Sequence, residues 1–193
     1  MARPKEFNRD TALEKAQDVF WEKGFNATST DDLRLAMGIG RQSFYDTFKG
    51  KREAYLEVVR HYAEGRFAFY LSMFRKADNA LEGLQEFLTH IALEPAQKRK
   101  LGCLGISSIC ELGTSDKDLS SIHESSSTKI LSLLEIVIKD AQKDKFIRKN
   151  LDPETVAKYL LTVSAGMRVH CKGGASVQEL KNMAKITIDG LKV

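Results

Sequence analysis

The side chains best suited to contacting another molecule are concentrated in one short segment, at about residues 29–48. Phe44 and Phe48 lie four positions apart, the spacing of one helix face, and we expect them to pack into a core beside Leu33. The neighbouring positions then point outward, and they carry Arg41, Gln42, Ser43 and Tyr45. Arginine and glutamine pair with the edges of guanine and adenine, and hydroxyl groups donate to phosphate oxygens. The pattern therefore favours contact with double-stranded DNA.

Two short helices joined by a turn are expected to hold these side chains. Ser29 followed by Asp32 is a typical start for the first helix, and Gly38 is a typical end. The second helix is expected from Arg41 to about Thr47, after a turn of about three or four residues. This is the geometry of a helix-turn-helix, although an ordinary helical hairpin with a polar face has the same pattern.

Residues that flank the two helices extend the expected DNA contacts. Backbone N–H groups at a helix start, and lysines before the next helix, are suited to binding phosphate. Together with the outward side chains, the candidate DNA-binding residues are Thr28, Ser29, Thr30, Gly40, Arg41, Gln42, Ser43, Tyr45, Thr47, Lys49 and Lys51. Arg3 and Lys5 precede the first helix and form either an arm into the minor groove or a solvated tail.

The rest of the chain also predicts helices, and no alternating strand pattern competes with them. Asn8, Asn79 and Ser176 are suited to capping three further helices, and Asp152 followed by Pro153 opens another. The chain is therefore expected to be all-α, with about nine helices.

The composition permits a folded DNA-binding protein without pointing to one. The 193 residues are 42% hydrophobic and 29% charged, and the net charge of +4 is mild. The start of the chain lacks the apolar run of a signal peptide, and no apolar stretch is long enough to span a membrane. Three cysteines without a CxxC pair fit a reducing compartment, so a cytoplasmic protein is expected.

No residues form a recognisable catalytic, cofactor or metal site. None of the four histidines follows a glutamate by three positions, as di-metal helical bundles require. Gly38 and Gly40 lack the third glycine of a dinucleotide-binding loop. The segment from Gly105 to Ser108 lacks the second glycine of a nucleophile elbow. We therefore expect no enzyme activity, no cofactor and no metal.

One longer pattern is similar to a known family. The phrases GFNATS (24–29) and MGIGRQSFYDTF (37–48), followed by Lys51, resemble the DNA-binding domain of the TetR family of bacterial regulators. Residues 9–21 resemble the first helix of that domain. The resemblance is specific over residues 6–66 and looser beyond them.

The resemblance implies a sequence-specific transcriptional regulator that acts as a homodimer on double-stranded DNA and serves as a repressor. It implies a recognition helix in the major groove, a helix-turn-helix DNA-binding domain over residues 1–66, and an effector-binding and dimerisation domain over residues 67–193. Release from the operator by a small-molecule or electrophile effector is the expected regulation. A helical protein that binds a ligand or a partner without a DNA role is the alternative.

Two positions depart from the family pattern. Gly40 stands where many members have a serine before the recognition helix, so a hydroxyl contact is lost, although glycine can still cap the helix. Asp46 replaces a residue that is commonly neutral or basic. Its carboxylate repels phosphate, accepts from a cytosine amine, or points away, and the sequence does not choose among these.

The second domain supplies apolar positions that are candidates for lining an effector cavity. They lie on several predicted helices, and many of them are equally suited to the core. They are Phe69, Met73, Phe87, Ile91, Cys103, Cys110, Tyr159, Val163 and Met167. A mostly apolar ligand with one or two polar groups is the expected effector.

Cys103 differs from the other cysteines in its setting. It follows Gly102 and a run of three cations at a helix start, which favours the reactive thiolate form. The Gly-Cys-Leu phrase resembles the TetR-like regulators that sense electrophiles or oxidants through a cysteine. Cys110 is expected in the core, and a buried structural thiol is the alternative for Cys103.

Two apolar faces near the C-terminus are expected to pair two subunits. One carries Val163, Gly166 and Met167, and the other carries Leu180, Ala184 and Ile188. Two such helices from each subunit form a four-helix interface, and a glycine permits close approach. The alternative is that these faces pack inside one subunit.

Overall fold

The structure, a computed structural model, describes residues 7–193, and helices dominate it. The described residues form ten α-helices and one short 3-10 turn, at Gly113–Ser115. The helices are α1 (Arg9–Ala27), α2 (Thr30–Met37), α3 (Arg41–Phe48), α4 (Lys51–Lys76), α5 (Ala80–Leu93), α6 (Ala96–Leu101), α7 (Leu104–Leu112), α8 (Lys117–Lys143), α9 (Pro153–Lys172) and α10 (Val177–Asp189). The all-α prediction is confirmed. The additional helix is α6, which starts directly after Pro95, where a proline lacks only an N–H group that a helix start does not use.

The predicted capping residues begin four of the longer helices. In each case a side-chain oxygen accepts a hydrogen bond from the backbone N–H group three positions further on, at 2.9–3.2 Å. The four capping residues are Asn8, Asn79, Asp152 and Ser176. Because the first N–H groups of a helix have no partner within it, each cap stabilises its helix by about 1 kcal/mol.

The chain forms two compact units. The first contains the described residues up to 63 together with 104–123, and the second contains 64–103 and 124–193. Helices α4 and α8 therefore contribute residues to both units. The predicted division of the chain into domains at residues 66 and 67 stays a prediction.

Aromatic side chains fill the core of the first unit. Phe44 and Phe48 of α3 are buried, as predicted, and Leu33 of α2 is buried with them. The ring of Phe20 on α1 lies 4.8 Å from that of Tyr55 on α4, edge to face. Burial of several large side chains between short helices supplies most of the stability that such short helices lack on their own.

Helix α7 belongs to this unit because it binds a break in α1. Gly24 has φ 79°, a left-handed backbone value that interrupts the regular helix near the C-terminal end of α1. The backbone N–H groups of Phe25 and Asn26, just after the break, donate to the Glu111 carboxylate of α7 at 2.8 and 2.7 Å. The positive φ favours glycine at position 24, and a side-chain Cβ there would lie 3.0 Å from a Glu111 oxygen and displace the carboxylate slightly.

A second polar contact joins α4 to the start of α8 within the same unit. The Arg52 guanidinium donates to both Asp116 oxygens, at 2.8 and 2.9 Å, and to Asp118 at 2.7 Å. Arg52 holds the pKa of Asp116 below its usual range through these hydrogen bonds. The aspartate also accepts from two N–H groups in the first turn of α8, so it fixes where that helix begins.

The second unit is a helical bundle whose core combines α5, α8, α9 and α10. Leu88 and Ile91 of α5 are fully buried, and the α10 face that was expected to pair subunits is buried against them in the same core. That prediction is wrong for Leu180, Ala184 and Ile188, and for Met167 of α9, since all four lie inside one subunit. The apolar pattern identified a buried face correctly but assigned it to the wrong neighbour.

Candidate DNA-binding site

The outer face of α3 carries the side chains that the sequence placed there. Phe44 and Phe48 turn inward, with ring centroids 5.6 Å apart, and this fixes which face of the helix is left outside. Of the predicted contact residues on α3, Arg41, Gln42 and Tyr45 are exposed, and Ser43 and Thr47 are half-buried. The Arg41 guanidinium lies over the Tyr45 ring at 6.0 Å, so the aromatic face helps to orient the cation.

A complete capping box fixes the start of α2 beside this face. The Ser29 hydroxyl accepts from the Asp32 N–H at 3.0 Å, and the Asp32 carboxylate accepts from the Ser29 N–H at 2.8 Å. Lys23 donates to the other Asp32 oxygen at 2.7 Å. The hydrogen bond from Lys23, followed by those from Ser29, holds the pKa of Asp32 well below its usual range. The N–H groups of Thr30 and Asp31, the first two of the helix, have no partner within it and can bind an anion.

A cleft of about 150 Å³ lies between the start of α2 and the outer face of α3. Its lining residues are Ser29, Thr30, Asp31, Arg34, Arg41, Phe44 and Tyr45. The cleft thus brings together four of the predicted contact residues from two helices. Arg34, which pairs with Asp31 at 3.1 Å, was not predicted as part of the site. The available signal was its position four residues after Thr30, one turn along the same helix face.

Two predicted contact residues also hold the fold together. The Thr28 hydroxyl donates to the Gly24 carbonyl oxygen at 2.6 Å, and the residue is only 2% exposed. The Lys51 ammonium donates to the carbonyl oxygens of Phe25 and Thr28, both at 2.9 Å, and lies 4.4 Å from the Phe25 ring centroid. Lys51 therefore supplies hydrogen bonds to carbonyl oxygens at the C-terminal end of α1. Direct DNA contacts by Thr28 and Lys51 stay predictions.

Asp46 forms a pair with a predicted base-contacting residue. Its carboxylate accepts a hydrogen bond from the Gln42 side-chain amide at 2.8 Å, one helix turn away. Both side chains are exposed, so the pair is weak and can open when DNA binds. While it is closed, the Gln42 side chain is held along α3, with one amide hydrogen used within the protein.

The turns on either side of α3 require unusual backbone conformations. Gly38 ends α2 in the left-handed region, at φ 72°, and Gly40 precedes α3 without a side-chain cap, as its lack of a hydroxyl dictates. Lys49 ends α3 at φ 62°, a conformation that costs a non-glycine residue about 1 kcal/mol or more. Lys49 is exposed beside α3, and its contact with DNA stays a prediction. The predicted arm residues Arg3 and Lys5 lie outside the described residues.

The candidate effector-binding residues do not share one environment. Phe87, Ile91 and Met167 are fully buried in the core of the second unit, whereas Phe69 and Tyr159 are exposed. Met73 and Val163 are half-buried against the same core, and Cys103 is half-buried too. Phe69 and Phe87 do come together, since both rings lie near the His90 imidazole, at 5.4 and 6.3 Å.

The three cysteines differ in exposure, and one differs from expectation. Cys110 is exposed, so the prediction that it lies in the core is wrong. It follows Ile109, which is also exposed, because the opposite face of α7, which carries Leu104 and Ser108, is the one that is buried in the core. Cys171 is buried, and burial raises the pKa of its thiol. Cys103 immediately precedes α7, as expected.

One serine–histidine pair within the first unit was not foreseen. The Ser108 hydroxyl lies 2.9 Å from His123 Nε2 and donates to the Gly105 carbonyl oxygen at 2.8 Å. Ser108 is fully buried, and burial lowers the pKa of His123. A hydroxyl without access to solvent cannot attack a substrate, so this pair stabilises the packing of α7 against α8.

The fold and the site are those of a helix-turn-helix protein with a second, helical unit. The sequence profile described as "Bacterial regulatory proteins, tetR family" matches residues 12–58. The HTH-type transcriptional regulator YezE of Bacillus subtilis is 26% identical, over 99% of this chain and 100% of the relative. The HTH-type transcriptional repressor ComR of Escherichia coli is 28% identical, over 96% of this chain and 90% of the relative.

Solved structures of regulators share the whole fold. A cysteine mutant of the TetR family regulator CifR, in complex with 26 bp operator DNA, superposes with a TM-score of 0.85. It is 23% identical, and the match covers 98% of this chain and 100% of that one. Residues 12–58 thus match the TetR family profile, and the chain shares its fold with a TetR family regulator. The family resemblance and the predicted two-part helical architecture are thereby confirmed.

Membrane insertion finds no support in the helices. Among residues 7–193, none of the helices combines the length and the apolar character needed to cross a bilayer.

Proposed function

We propose that this TetR family regulator is a repressor that binds a specific double-stranded DNA operator in the cytoplasm and acts through binding, without catalysis. The observation that carries the proposal is the exposed face of α3, which presents Arg41, Gln42 and Tyr45, and on which Arg41 and Tyr45 line a cleft with the start of α2. The DNA partner of CifR and the repressor activity stated for ComR support the same role here.

Within this proposal the site residues divide by the part of DNA that they contact. Arg41 and Gln42 stand at the first turn of α3 and read base edges in the major groove. Ser29 and Thr30, with the free N–H groups of α2, bind the phosphate backbone, which sets register without reading sequence. Arg34 lines the same cleft and adds a second cation toward that phosphate.

The repressor acts as a homodimer, and the exposed face of α9 supplies the interface. Tyr159, Gly166 and Val169 are exposed and Val163 is half-buried, at spacings that place all four on one side of the helix. Ile186 of α10 is also exposed. A Cβ added to Gly166 would meet nothing within 4 Å in the single chain, so that surface is open to a second helix.

Release from DNA follows from effector binding to the second unit. A ligand changes operator affinity only to the extent that it binds the DNA-free conformation more tightly than the DNA-bound one. By linkage, operator DNA then weakens the effector by the same factor. The predicted effector is a largely apolar molecule with one or two polar groups.

Operator binding tests the proposal directly. Double-stranded sequences selected from a random pool by the full chain should bind it tightly, and Arg41→Ala should weaken binding by about 1–3 kcal/mol and relax sequence preference. Tyr45→Phe should weaken it without changing the thermal midpoint. Lys15→Ala, an exposed cation on α1, is the matched control. Failure to enrich any sequence, or equal affinity of both variants and wild type, would favour a helical ligand-binding protein without a DNA role.

The oligomeric state tests the interface. Light scattering at micromolar concentration should give a dimer for the wild type, and Val169→Glu should shift it toward monomer because a charge cannot be buried in an apolar interface without cost. Leu93→Glu, at an exposed apolar residue of α5, is the control and should leave the dimer intact. A wild-type monomer, or equal dissociation in both variants, would remove the α9 interface.

A further inference from the structure

Five polar side chains form a cluster in the second unit that the proposed DNA contacts do not use. They come from α4, from α9, and from α5 with the residue that directly follows it, and are Arg66, Tyr70, His90, Glu94 and Arg168. Arg168 is 4% exposed, and Tyr70 is also buried. Charged groups in such a position are kept only where they are paired or where they serve a function.

One carboxylate and one imidazole serve both guanidiniums. Glu94 accepts from Arg66 at 3.1 Å and from Arg168 at 3.3 Å. His90 Nε2 lies 3.2 Å from Arg66 and 2.8 Å from Arg168. Because arginine only donates, Nε2 must accept from both, and the imidazole proton is on Nδ1, 3.2 Å from the Glu86 carbonyl oxygen. The imidazole is therefore neutral.

The cluster has the composition of an anion-binding site. Two guanidinium charges against one carboxylate charge leave these five side chains with one net positive charge. Planar guanidiniums with fixed N–H donors are the protein groups best matched to a carboxylate. Burial, then Arg168 and Arg66, lowers the pKa of His90 to about 4, so the imidazole adds no competing charge near neutral pH.

Apolar surface lies directly beside the cations. The exposed Phe69 ring is 5.9 Å from the Arg66 guanidinium and 5.4 Å from the His90 ring. The Phe87 ring, which is buried in the core, lies 6.3 Å from His90. A ligand that reached both parts would need an anionic head and an apolar body.

We propose that Arg66 and Arg168 are the recognition site for the carboxylate of an amphipathic organic acid, and that Glu94 occupies this site internally when no ligand is bound. The inference rests on the proposed function, since it names the chemical class of the effector. The Glu94 side chain is 19% exposed, so it can turn outward as the ligand carboxylate takes its hydrogen bonds. The exchange replaces one carboxylate by another and leaves the two guanidiniums paired throughout.

Calorimetry with matched acids and amides tests the charge requirement. Octanoate and benzoate are titrated into the full chain beside octanamide and benzamide, which have the same apolar bodies without the charge. At least one acid should bind about 10-fold or more tightly than its amide, the size expected for charge-assisted hydrogen bonds. Arg66→Gln should abolish this preference, and Arg75→Gln, an exposed arginine on the same helix, should keep it.

Glu94→Gln separates ligand recognition from a purely structural ion pair. If Glu94 is an internal competitor, its neutral variant should bind the acid more tightly, and the acid should raise the thermal midpoint of the variant more than that of the wild type. A structural role alone predicts a destabilised variant with no such gain. If this variant does not fold, the loss of acid preference in Arg66→Gln decides the question.

Several results would overturn the site. They are equal binding of both acids and their amides, no binding of any of them, an acid preference that survives in Arg66→Gln, or a folded Glu94→Gln without the extra thermal gain. Operator binding without ligand is measured on the same preparations. DNA binding without acid binding refutes this inference alone, whereas acid binding without DNA binding refutes the proposed function alone.

Discussion

Glu111→Gln is expected to destabilise the first unit, although it changes a single oxygen to an amide nitrogen. The wild-type carboxylate accepts from the N–H groups of Phe25 and Asn26 at 2.8 and 2.7 Å. The amide keeps one acceptor and turns a donor toward the other N–H group, so one hydrogen bond is lost and the remaining one loses its charge assistance. Hydrogen bonds to charged groups contribute about 1.5–3 kcal/mol each, and partial exposure here reduces the expected loss to about 1–2 kcal/mol.

Urea unfolding followed by tryptophan fluorescence measures this loss in the right place. Trp21 is the one tryptophan of the sequence, and it packs against Tyr62 in the first unit at 5.2 Å. With a slope of about 2 kcal/mol per molar urea, the midpoint of the fluorescence transition should fall by about 0.5–1 M. Glu14→Gln, at an exposed position of α1, is the matched control. A midpoint for Glu111→Gln that equals the control would show that α7 does not stabilise the break in α1.

Two further predictions concern titration and thiol chemistry. The pKa of an unfolded histidine is near 6.5, whereas burial lowers the pKa of folded His90 to about 4. The unfolded chain therefore binds a proton at this residue first as the pH falls. The free energy of unfolding should decrease between about pH 6.5 and 4, by at most about 3 kcal/mol. Urea unfolding at pH 7 and pH 5 should show a smaller difference in His90→Gln than in the wild type, and an equal difference would contradict the buried neutral imidazole. Iodoacetamide labelling with peptide mass readout should modify Cys110 and Cys103 before Cys171, because Cys171 is buried and burial raises the pKa of its thiol. Faster labelling of Cys171 would refute that order, and DNA binding by the alkylated protein would show whether Cys103 acts as a sensor.

Features set by residues close in sequence were predictable. Ser29 and Ser176 cap their helices as the spacing to an acidic residue three positions on indicated, because a capping box is a local hydrogen-bond pattern. The outward face of α3 followed from the four-residue spacing of Phe44 and Phe48 for the same reason.

Features that depend on packing between distant residues were not predictable. The apolar period of α10 showed that Ala184 is buried, but not whether a helix of the same subunit or of another covers it. Cys110 has apolar neighbours in sequence and is nevertheless exposed. The orientation of α7 is set by contacts with distant residues, such as that of Glu111 with Phe25, which lies 86 positions away in sequence. The Arg66–Glu94–Arg168 cluster likewise joins three helices whose spacing in sequence carries no signal.

The first unit is assembled from two separate stretches of chain, and this limits how it can be exchanged between proteins. Residues 104–123 belong to it and bind it through Glu111 and through Asp116 and Asp118. A hybrid regulator made by joining this protein's first 66 residues to another member's remainder would replace α7 and the start of α8 by foreign residues. Those residues would have to provide a carboxylate for the break at Gly24 and an acidic pair for Arg52. Without them, the helix-turn-helix part of the hybrid will be less stable than it is in this protein. Recombination of such regulators should therefore succeed when both stretches travel together.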